Sequence, residues 1–599
     1  MAIYRSDQAV VTFGAEAALG GYIEGGAGAT ATATATSTIH TTAASAGDMS
    51  ITVQAIGNFA LQQFIYIGTK SSAANQKNTE VRKVVGVSGN VIYIDAPLGF
   101  DHAIGQEVKT ITTKANSVGD KFNTFIPGVY DTVTTPDMTP TIEPRYYLGT
   151  GAKRNFTAAY KGTQSYNGSI PSFILLNGWP LRFPLGKINT TMNATASGSA
   201  VKTGATAGGS GGLGAKKGDV WLAVASGTDI DAGDYIQIGA SATTYEVNRV
   251  VSKSTDLLQL ATPLKADHAV GIAVVPMVST GAATYFTHTI TETNELDSIS
   301  MDVHMRDSGE TAANDFDRRF YGGKVGAATI SAEEGGLLVM GWDTVPFMGG
   351  VHNQKLTDAT RYATDMPFFT HFNPSSDKNQ DDSDVNEIGS RSVSGAPTTI
   401  AYPTQDPYYF SEGSVSMFGQ TFARVRNFSI SINNNVEPRY YIERRGDSRV
   451  RGPSDIVEMR REYTMTATIA LPDSTASLTG DSSSLFKELM FEGDYGTPQG
   501  TGAGMKGFAI QLVFNKGAVM TGVTGASIAG VDHKMTIDIP TDATAGGMDL
   551  DPATGLNTQG AYLTEAPHPI DGSNPLEVSA SLIFRNMGIT IVDNQGLYP

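Results

Sequence analysis

Glu462-Tyr463-Thr464-Met465-Thr466-Ala467-Thr468-Ile469-Ala470-Leu471 changes character at every step. Tyr463, Met465, Ala467, Ile469 and Leu471 fall on one side, Glu462, Thr464, Thr466, Thr468 and Ala470 on the other. A period of two, with one apolar and one polar face, predicts a half-buried antiparallel strand. The same pattern runs through Ile299, Met301, Val303 and Met305, through Phe428, Ile430 and Ile432, and through Met535, Ile537 and Ile539. Helical spacing is scarce. Two short helices are expected, over 172–176 after Pro171 and before Gly178, and over 484–490 before Gly493, where serine starts and glycine stops suit helix caps. The expected fold class is mainly β.

Outward from these strands the chain repeats itself twice. Glu80-Val81-Arg82-Lys83-Val84-Val85 returns as Glu246-Val247-Asn248-Arg249-Val250-Val251, and twelve of twenty-nine positions from 80 to 108 are identical at a shift of 166. Short β-branched runs bounded by turn residues mark two small β-barrel-like modules, at 40–112 and 200–277. Ala29 to Thr36, alternating Ala and Thr, and Gly208-Gly209-Ser210-Gly211-Gly212 read as flexible connectors to these inserts. The second repeat is longer in range. Ile142-Glu143-Pro144-Arg145-Tyr146-Tyr147-Leu148 returns as Val436-Glu437-Pro438-Arg439-Tyr440-Tyr441-Ile442, 294 positions on. It predicts a duplicated larger β domain: a discontinuous first copy over 1–39, 113–199 and 278–350, and a second over 351–599.

Composition narrows the function. The 599 residues include 67 glycines and no cysteine, and charged residues make up 17% against a usual ~25%. Without cysteine there is no disulfide, thiolate metal site or thiol nucleophile. A net charge of −17 argues against a protein that grips nucleic acid. No apolar run reaches the ~20 residues of a membrane span, and the polar opening Met1 to Gln8 lacks the layout of a secretory leader.

Sites of chemistry are few. His102 and His268 lie in repeated Asp-His-Ala turns, where a turn hydrogen bond from Asp101 and Asp267 is the expected role and a metal the alternative. The lysines Lys216 and Lys217 end a glycine-rich stretch without phosphate-loop spacing. Asp377, Asn379 and Asp381 alternate as in a calcium loop, but Asp382 stands where glycine is needed and Ile388 at the twelfth position, so 377–387 reads as a solvated loop. No catalytic residue, cofactor or metal is expected. The most charged segment carries Arg439, Arg444, Arg445, Arg449, Arg451, Arg460 and Arg461 among Glu443, Asp447, Asp455, Glu458 and Glu462. Mixed signs suit a loop that docks on a complementary neighbour, with a self-contained solvated loop as the alternative.

Three stretches resemble the tail tube proteins of long-tailed bacterial and archaeal viruses: Val11-Thr12-Phe13-Gly14-Ala15-Glu16-Ala17-Ala18-Leu19-Gly20-Gly21, the run from Phe320-Tyr321-Gly322-Gly323 to Glu333-Glu334-Gly335-Gly336, and Phe428-Ser429-Ile430-Ser431-Ile432-Asn433-Asn434-Asn435. The resemblance implies two tail-tube β-sandwich domains in tandem and a non-enzymatic structural subunit of the virion, made in the host cytoplasm. Single-domain tube proteins form six-fold rings, so a doubled chain implies homotrimeric rings stacked into a tube. Its partners are then other copies of itself, other tail proteins at the tube ends, and DNA in passage without specific binding, with no membrane. The arginine-rich loop is expected to reach the adjacent ring, and the modules to face outward as decoration. A distal-tail or baseplate hub with the same domains is the alternative; a carbohydrate-binding β-sandwich is a third reading, with only Trp179, Trp221 and Trp342 to stack on sugars.

Overall fold

The computed structural model describes residues 9–15, 29–39, 43–45, 48–56, 59, 64–67, 80–94, 98, 102–113, 127–146, 156, 158–193, 195–196, 201–202, 221–231, 234–239, 246–254, 257–260, 264–266, 268–269, 271–278, 285–305, 316–352, 406–417, 420–422, 425–441, 452–453, 455–470, 509–521, 527–539, 561–567 and 577–595. Strands dominate these residues, and the protein is mainly β. The four stretches read as alternating lie in strands, Ile299–Met305, Val425–Asn433, Glu462–Ala470 and Ser527–Ile539, except that Leu471 is outside the described residues.

The largest sheet has eight antiparallel strands in the order Ala561–Glu565, Glu577–Phe584, Glu462–Ala470, Val425–Asn433, Ala327–Glu333, Val339–Phe347, Ala158–Ile174 and Thr134–Arg145. A seven-stranded sheet runs Gly186–Asn193, Tyr285–Glu292, Gly588–Asp593, Ser527–Ile539, Ile510–Thr521, Gly413–Met417 and Gln420–Phe422. A four-stranded sheet joins Ala9–Ala15, Ile299–Met305, Phe316–Gly323 and Gly349–His352. One hydrophobic core takes side chains from all three, including Met301, Ile430 and Ile537. Both large sheets cross the boundary expected at residue 350. Ala327–Glu333 pairs with Val425–Asn433, and Tyr285–Glu292 pairs with Gly588–Asp593. Strand pairing, not chain order, sets the core, so the two halves of the chain share it.

At its centre lies Trp342, fully buried, with Phe13 at 5.2 Å, Phe173 at 5.8 Å and Phe183 at 5.7 Å between ring centroids, all edge to face. That geometry sets the positive edge of one ring against the negative face of another. The helix that supplies Phe183 spans Trp179–Leu185 and is displaced from the expected 172–176. Phe173 and Ile174 instead end the strand Ala158–Ile174. Gly178 starts the helix rather than stopping it, Pro180 fits its first turn, and Gly186 closes it at φ 107. The second expected helix, 484–490, lies outside the described residues.

The two modules fold as separate sheets with one strand order. In the first it is Ala29–Thr38, Glu107–Thr113, Phe64–Ile67, Glu80–Ser88, Val91–Ile94 and Ser50–Thr52. In the second, Ala273–Val278, Tyr235–Ile238, Glu246–Ser254, Leu257–Leu260 and Trp221–Ala223 occupy the matching places. Each has its own core, around Ile65 and Val84 in one and Ile236 and Val250 in the other. The Ala-Thr stretch is a strand rather than a connector: Ala29–Thr38 pairs with Glu107–Thr113, so the first sheet begins before residue 40. Alternation of a small residue with β-branched threonine is itself a strand pattern. The second sheet likewise begins with Thr195–Ala196, before residue 200. The glycine-rich stretch and Lys216 and Lys217 lie outside the described residues.

A buried lysine sets an alkaline signature. Lys516 Nζ donates to the Leu176 carbonyl at 2.6 Å and stands 4.5 Å from the Tyr408 ring centroid. Burial pulls its pKa down to about 8, against the pull of Asp593 and Asp406. Between that value and the ordinary 10.5 the unfolded chain binds a proton that the folded one lacks, so stability rises with pH. Burial, with Tyr440 nearby, pushes Tyr166 up to about 12, and burial also raises Tyr463. Above pH ~10 the unfolded tyrosines lose protons first, and stability falls. Thermal melting should therefore give a maximum near pH 10, on the order of 2 kcal/mol above pH 7. Lys265, whose pKa burial pulls down to about 7, adds to the same rise, so Lys516→Met should shrink the rising limb without abolishing it; a wild-type curve that only falls from pH 7 would disprove the assignment.

Candidate assembly surface

The eight-stranded sheet contains one connectivity twice. In chain order, Thr134–Arg145, Ala158–Ile174, Ala327–Glu333 and Val339–Phe347 form two hairpins whose long strands 158–174 and 339–347 adjoin. Val425–Asn433, Glu462–Ala470, Ala561–Glu565 and Glu577–Phe584 form the same two hairpins, joined in the same way. Equivalent residues meet in each. Tyr166 pairs with Phe347, and Tyr463 pairs with Phe584, 297 and 237 positions on. The Glu-Pro-Arg motifs also coincide: Glu143, Pro144 and Arg145 face Tyr160, Ala159 and Ala158, while Glu437, Pro438 and Arg439 face Val457, Ile456 and Asp455. Both motifs thus lie on the outer reach of a long hairpin.

The two sets meet at an internal seam, where Ala327–Glu333 pairs with Val425–Asn433 from Ala327↔Asn433 to Glu333↔Asn427. The sheet ends at the equivalents of those two strands. Ala561–Glu565 matches the first and Thr134–Arg145 the second, and among the described residues no strand pairs with their outer sides. Such edges present backbone donors and acceptors to any strand that can pair with them.

The hairpins are rigid at the root and apolar at the reach. Lys324 Nζ donates to the Ile456 carbonyl at 2.9 Å and to Glu458 Oε1 at 2.8 Å. Burial alone would raise the Glu458 pKa, but the hydrogen bond and charge of Lys324 and a hydrogen bond from the Leu296 N–H hold it below the usual carboxylate value. Asn434 Nδ2 donates to the carbonyls of Pro184 and Val325. Farther out, Ile142, Tyr146, Phe156 and Tyr160 on one hairpin and Tyr440, Tyr441 and Met459 on the other are exposed. The Tyr440 hydroxyl donates to the Gln164 carbonyl at 3.1 Å, so the second hairpin leans on the first.

Three of the seven expected arginines are described. Arg439 pairs with Glu437 at 2.7 Å and Arg460 with Glu462 at 3.6 Å, both well exposed, where ion pairs contribute little. Arg461 turns inward: its Nε donates to Asn434 Oδ1 at 2.6 Å and Nη2 to the Thr293 carbonyl at 3.0 Å, with Glu292 3.3 Å from Nη1. It ties the second hairpin to the first half of the chain and does not project toward a neighbour. Its preceding alternation partner, Arg460, carries no sequence signal that distinguishes the two. Arg444, Arg445, Arg449 and Arg451 lie outside the described residues, as does the acidic run 377–387.

His102 and His268 each meet a side-chain partner inside their module. His102 Nδ1 meets Gln106 Oε1 at 2.8 Å, and His268 Nε2 meets Glu246 Oε2 at 2.9 Å, both rings buried. Asp101 and Asp267 lie outside the described residues. One buried set has the residue types of a hydrolytic triad: Thr190 Oγ1 lies 2.9 Å from His288 Nδ1, and Asp593 Oδ1 3.1 Å from Nε2. All three are at most 4% exposed, and Nε2 also lies 3.0 Å from the Gln595 carbonyl. A substrate cannot reach a hydroxyl shut inside the core; the set fastens 588–593 to its neighbours. Among the described residues no group of acidic and histidine side chains is arranged to hold a metal, and no helix is long and apolar enough to cross a membrane. No protein-family model matches the chain, and no curated protein matches it closely enough to name a relative.

Proposed function

We propose that the chain is the repeated structural subunit of a viral tail tube, three copies closing into a ring and the rings stacking into a hollow tube for DNA. The observation that carries this reading is the doubled four-strand unit with its internal seam. A seam that already joins one unit to the next within the chain is a template for the same seam between chains. Ala561–Glu565 of one copy would add to Thr134–Arg145 of the next, head to tail. Closure removes both open edges, which an isolated copy leaves to uncontrolled pairing.

Three eight-stranded sheets make a barrel of about twenty-four strands. With strands about 4.8 Å apart and tilted about 40°, its backbone diameter is about 48 Å, a bore rather than a filled core. The partners in this reading are further copies of the chain within and between rings, other tail proteins at the tube ends, and DNA passing through. The tandem tail-tube domains are the doubled units, the modules outward decoration, and the exposed aromatic hairpins and arginine-rich loop the contacts to the next ring. No catalytic step, cofactor or metal enters the function. Negative-stain electron microscopy of purified protein over a range of concentrations and salt tests it. Rings with three-fold symmetry, or tubes built of them, are expected; monodisperse single copies under every condition would overturn the reading.

A further inference from the structure

The two long hairpins match position by position, but only one of them is covered. On their first strands a shift of 294 carries Ile142 onto Val436 and Tyr146 onto Tyr440. On their second strands a shift of 297 carries Phe156 onto Pro453, Tyr160 onto Val457 and Gln164 onto Arg461. Ile142, Tyr146, Phe156 and Tyr160 are all exposed. Their counterparts are not alike: Pro453 is buried, and Val436 and Val457 are half-buried. Tyr146 is 66% exposed and Tyr440 41%. The cover on the second hairpin comes from the first four-strand unit and its flanks. A Cβ added at Gly326 would stand 2.7 Å from Val436 Cγ2, and one added at Gly452 would stand 2.8 Å from the Met348 carbonyl oxygen. Lys324 holds the Ile456 carbonyl, and the Tyr440 hydroxyl reaches the carbonyl of Gln164, which lies on the third strand beyond the seam. The first hairpin stands at the open edge of the sheet, and among the described residues no strand pairs beyond Thr134–Arg145.

We infer that the bare hairpin docks on the second unit of the adjacent copy in its own ring, and that Tyr146 repeats between copies the bond that Tyr440 makes within the chain. This rests on the tube reading, which sets Ala561–Glu565 of the next copy beside Thr134–Arg145. The third strand beyond that junction is then Glu462–Ala470, and Arg461 stands just before it in the place that Gln164 holds in the first unit. The Tyr146 hydroxyl donates to that Arg461 carbonyl. The acceptor is backbone, so the exchange of glutamine for arginine leaves it in place. Tyr463 of the next copy takes the position of Tyr166, the ring that Tyr440 approaches within the chain. A phenol joins an apolar face to a single donor, which is why tyrosine is favoured where surfaces meet. An isolated copy leaves four large apolar side chains of this hairpin in water, a cluster of the kind that marks a contact surface. Contacts to the next ring then fall to Tyr441, Met459 and the arginine-rich loop.

The test places photoreactive benzoylphenylalanine at position 146 or at position 440 and irradiates rings made from a mixture of isotope-labelled and unlabelled copies. Position 440 should join peptides of one chain, around Gln164 and Tyr166. Position 146 should join different chains, at Arg461 to Tyr463 or at Ala561 to Glu565, and only in assembled protein. In parallel, Tyr146→Ala should leave the thermal melting of unassembled copies unchanged and raise the concentration at half-assembly about tenfold, with Tyr146→Phe between it and wild type. Adducts of position 146 within its own chain, or on any other part of a neighbour, sink the inference. So does Tyr146→Ala that assembles like wild type, or that melts earlier as a single copy. In each case the tube reading stands, since rings were formed. If wild type forms neither ring nor tube, the tube reading itself fails. Should the photoreactive residue block assembly, Tyr146→Ala decides alone.

Discussion

Mild oxidation of protein carrying both Thr141→Cys and Tyr562→Cys should give a covalent ladder of two and three chains that stops at three. The pair follows from carrying the internal seam over to the sheet's two edges. A shift of 294 takes Val425–Asn433 and its continuation onto Thr134–Arg145, so Thr141 stands for Asn435. On the other edge Tyr562 faces Ile583, which stands for Pro346, whose carbonyl accepts the Lys324 N–H. Continuing the seam past Ala327↔Asn433 then sets the Tyr562 position within one residue of the Thr141 position. Both side chains lie on the outward face of the sheet: Thr141 lies 3.4 Å from Thr163 between hydroxyl oxygens, and Tyr562 faces Ile583, which in turn faces Thr464. Neighbouring strands at this spacing are within disulfide reach. Either single substitution should give no ladder. A ladder running past three would mean open filaments, and no cross-link at all would mean that the edges do not meet.

Trp342→Ala should cost the subunit about 3–5 kcal/mol, the range for deleting a fully buried large aromatic, read by chemical denaturation of unassembled protein. The ring packs against three parts of the molecule at once. Phe13 comes from the four-stranded sheet, Phe173 from the eight-stranded one, and Trp179 and Phe183 from the helix. Losing it leaves a cavity bordered by rigid rings that cannot collapse into it. Trp342 Nε1 is buried and meets no acceptor among the described residues. Trp342→Phe, which keeps a ring and removes that unpaired donor, should cost only about 1 kcal/mol. Equal losses for the two substitutions would show that packing around the indole is not what stabilises this centre.

Period-two alternation made the strands at 299–305, 425–433 and 462–470 legible, because a half-buried strand writes its two faces into every second residue. The modules were legible for the same reason, with twelve identities to align them. The helix was misplaced because Phe173 to Leu176 is as apolar as a helix face. Only the proline after Trp179 and the glycine at 186 mark the true position. Sharing of sheets between the halves left no local trace: the seam at 327–333 is a long-range pairing between strands that look alike. In the arginine-rich segment, composition pointed to a surface loop, yet Arg461 lies against Glu292 and Asn434.

The strand Gly588–Asp593 sits between Tyr285–Glu292 and Ser527–Ile539, pairing with both. It leaves the ribosome after every other strand in the described residues, and its partner at 285–292 has by then waited through nearly half the chain. Until it arrives the seven-stranded sheet is in two pieces, and pairing over such sequence distances is slow. Completion of the seven-stranded sheet thus waits for this strand, and a chain stopped short of it would leave the facing sides of Tyr285–Glu292 and Ser527–Ile539 unpaired.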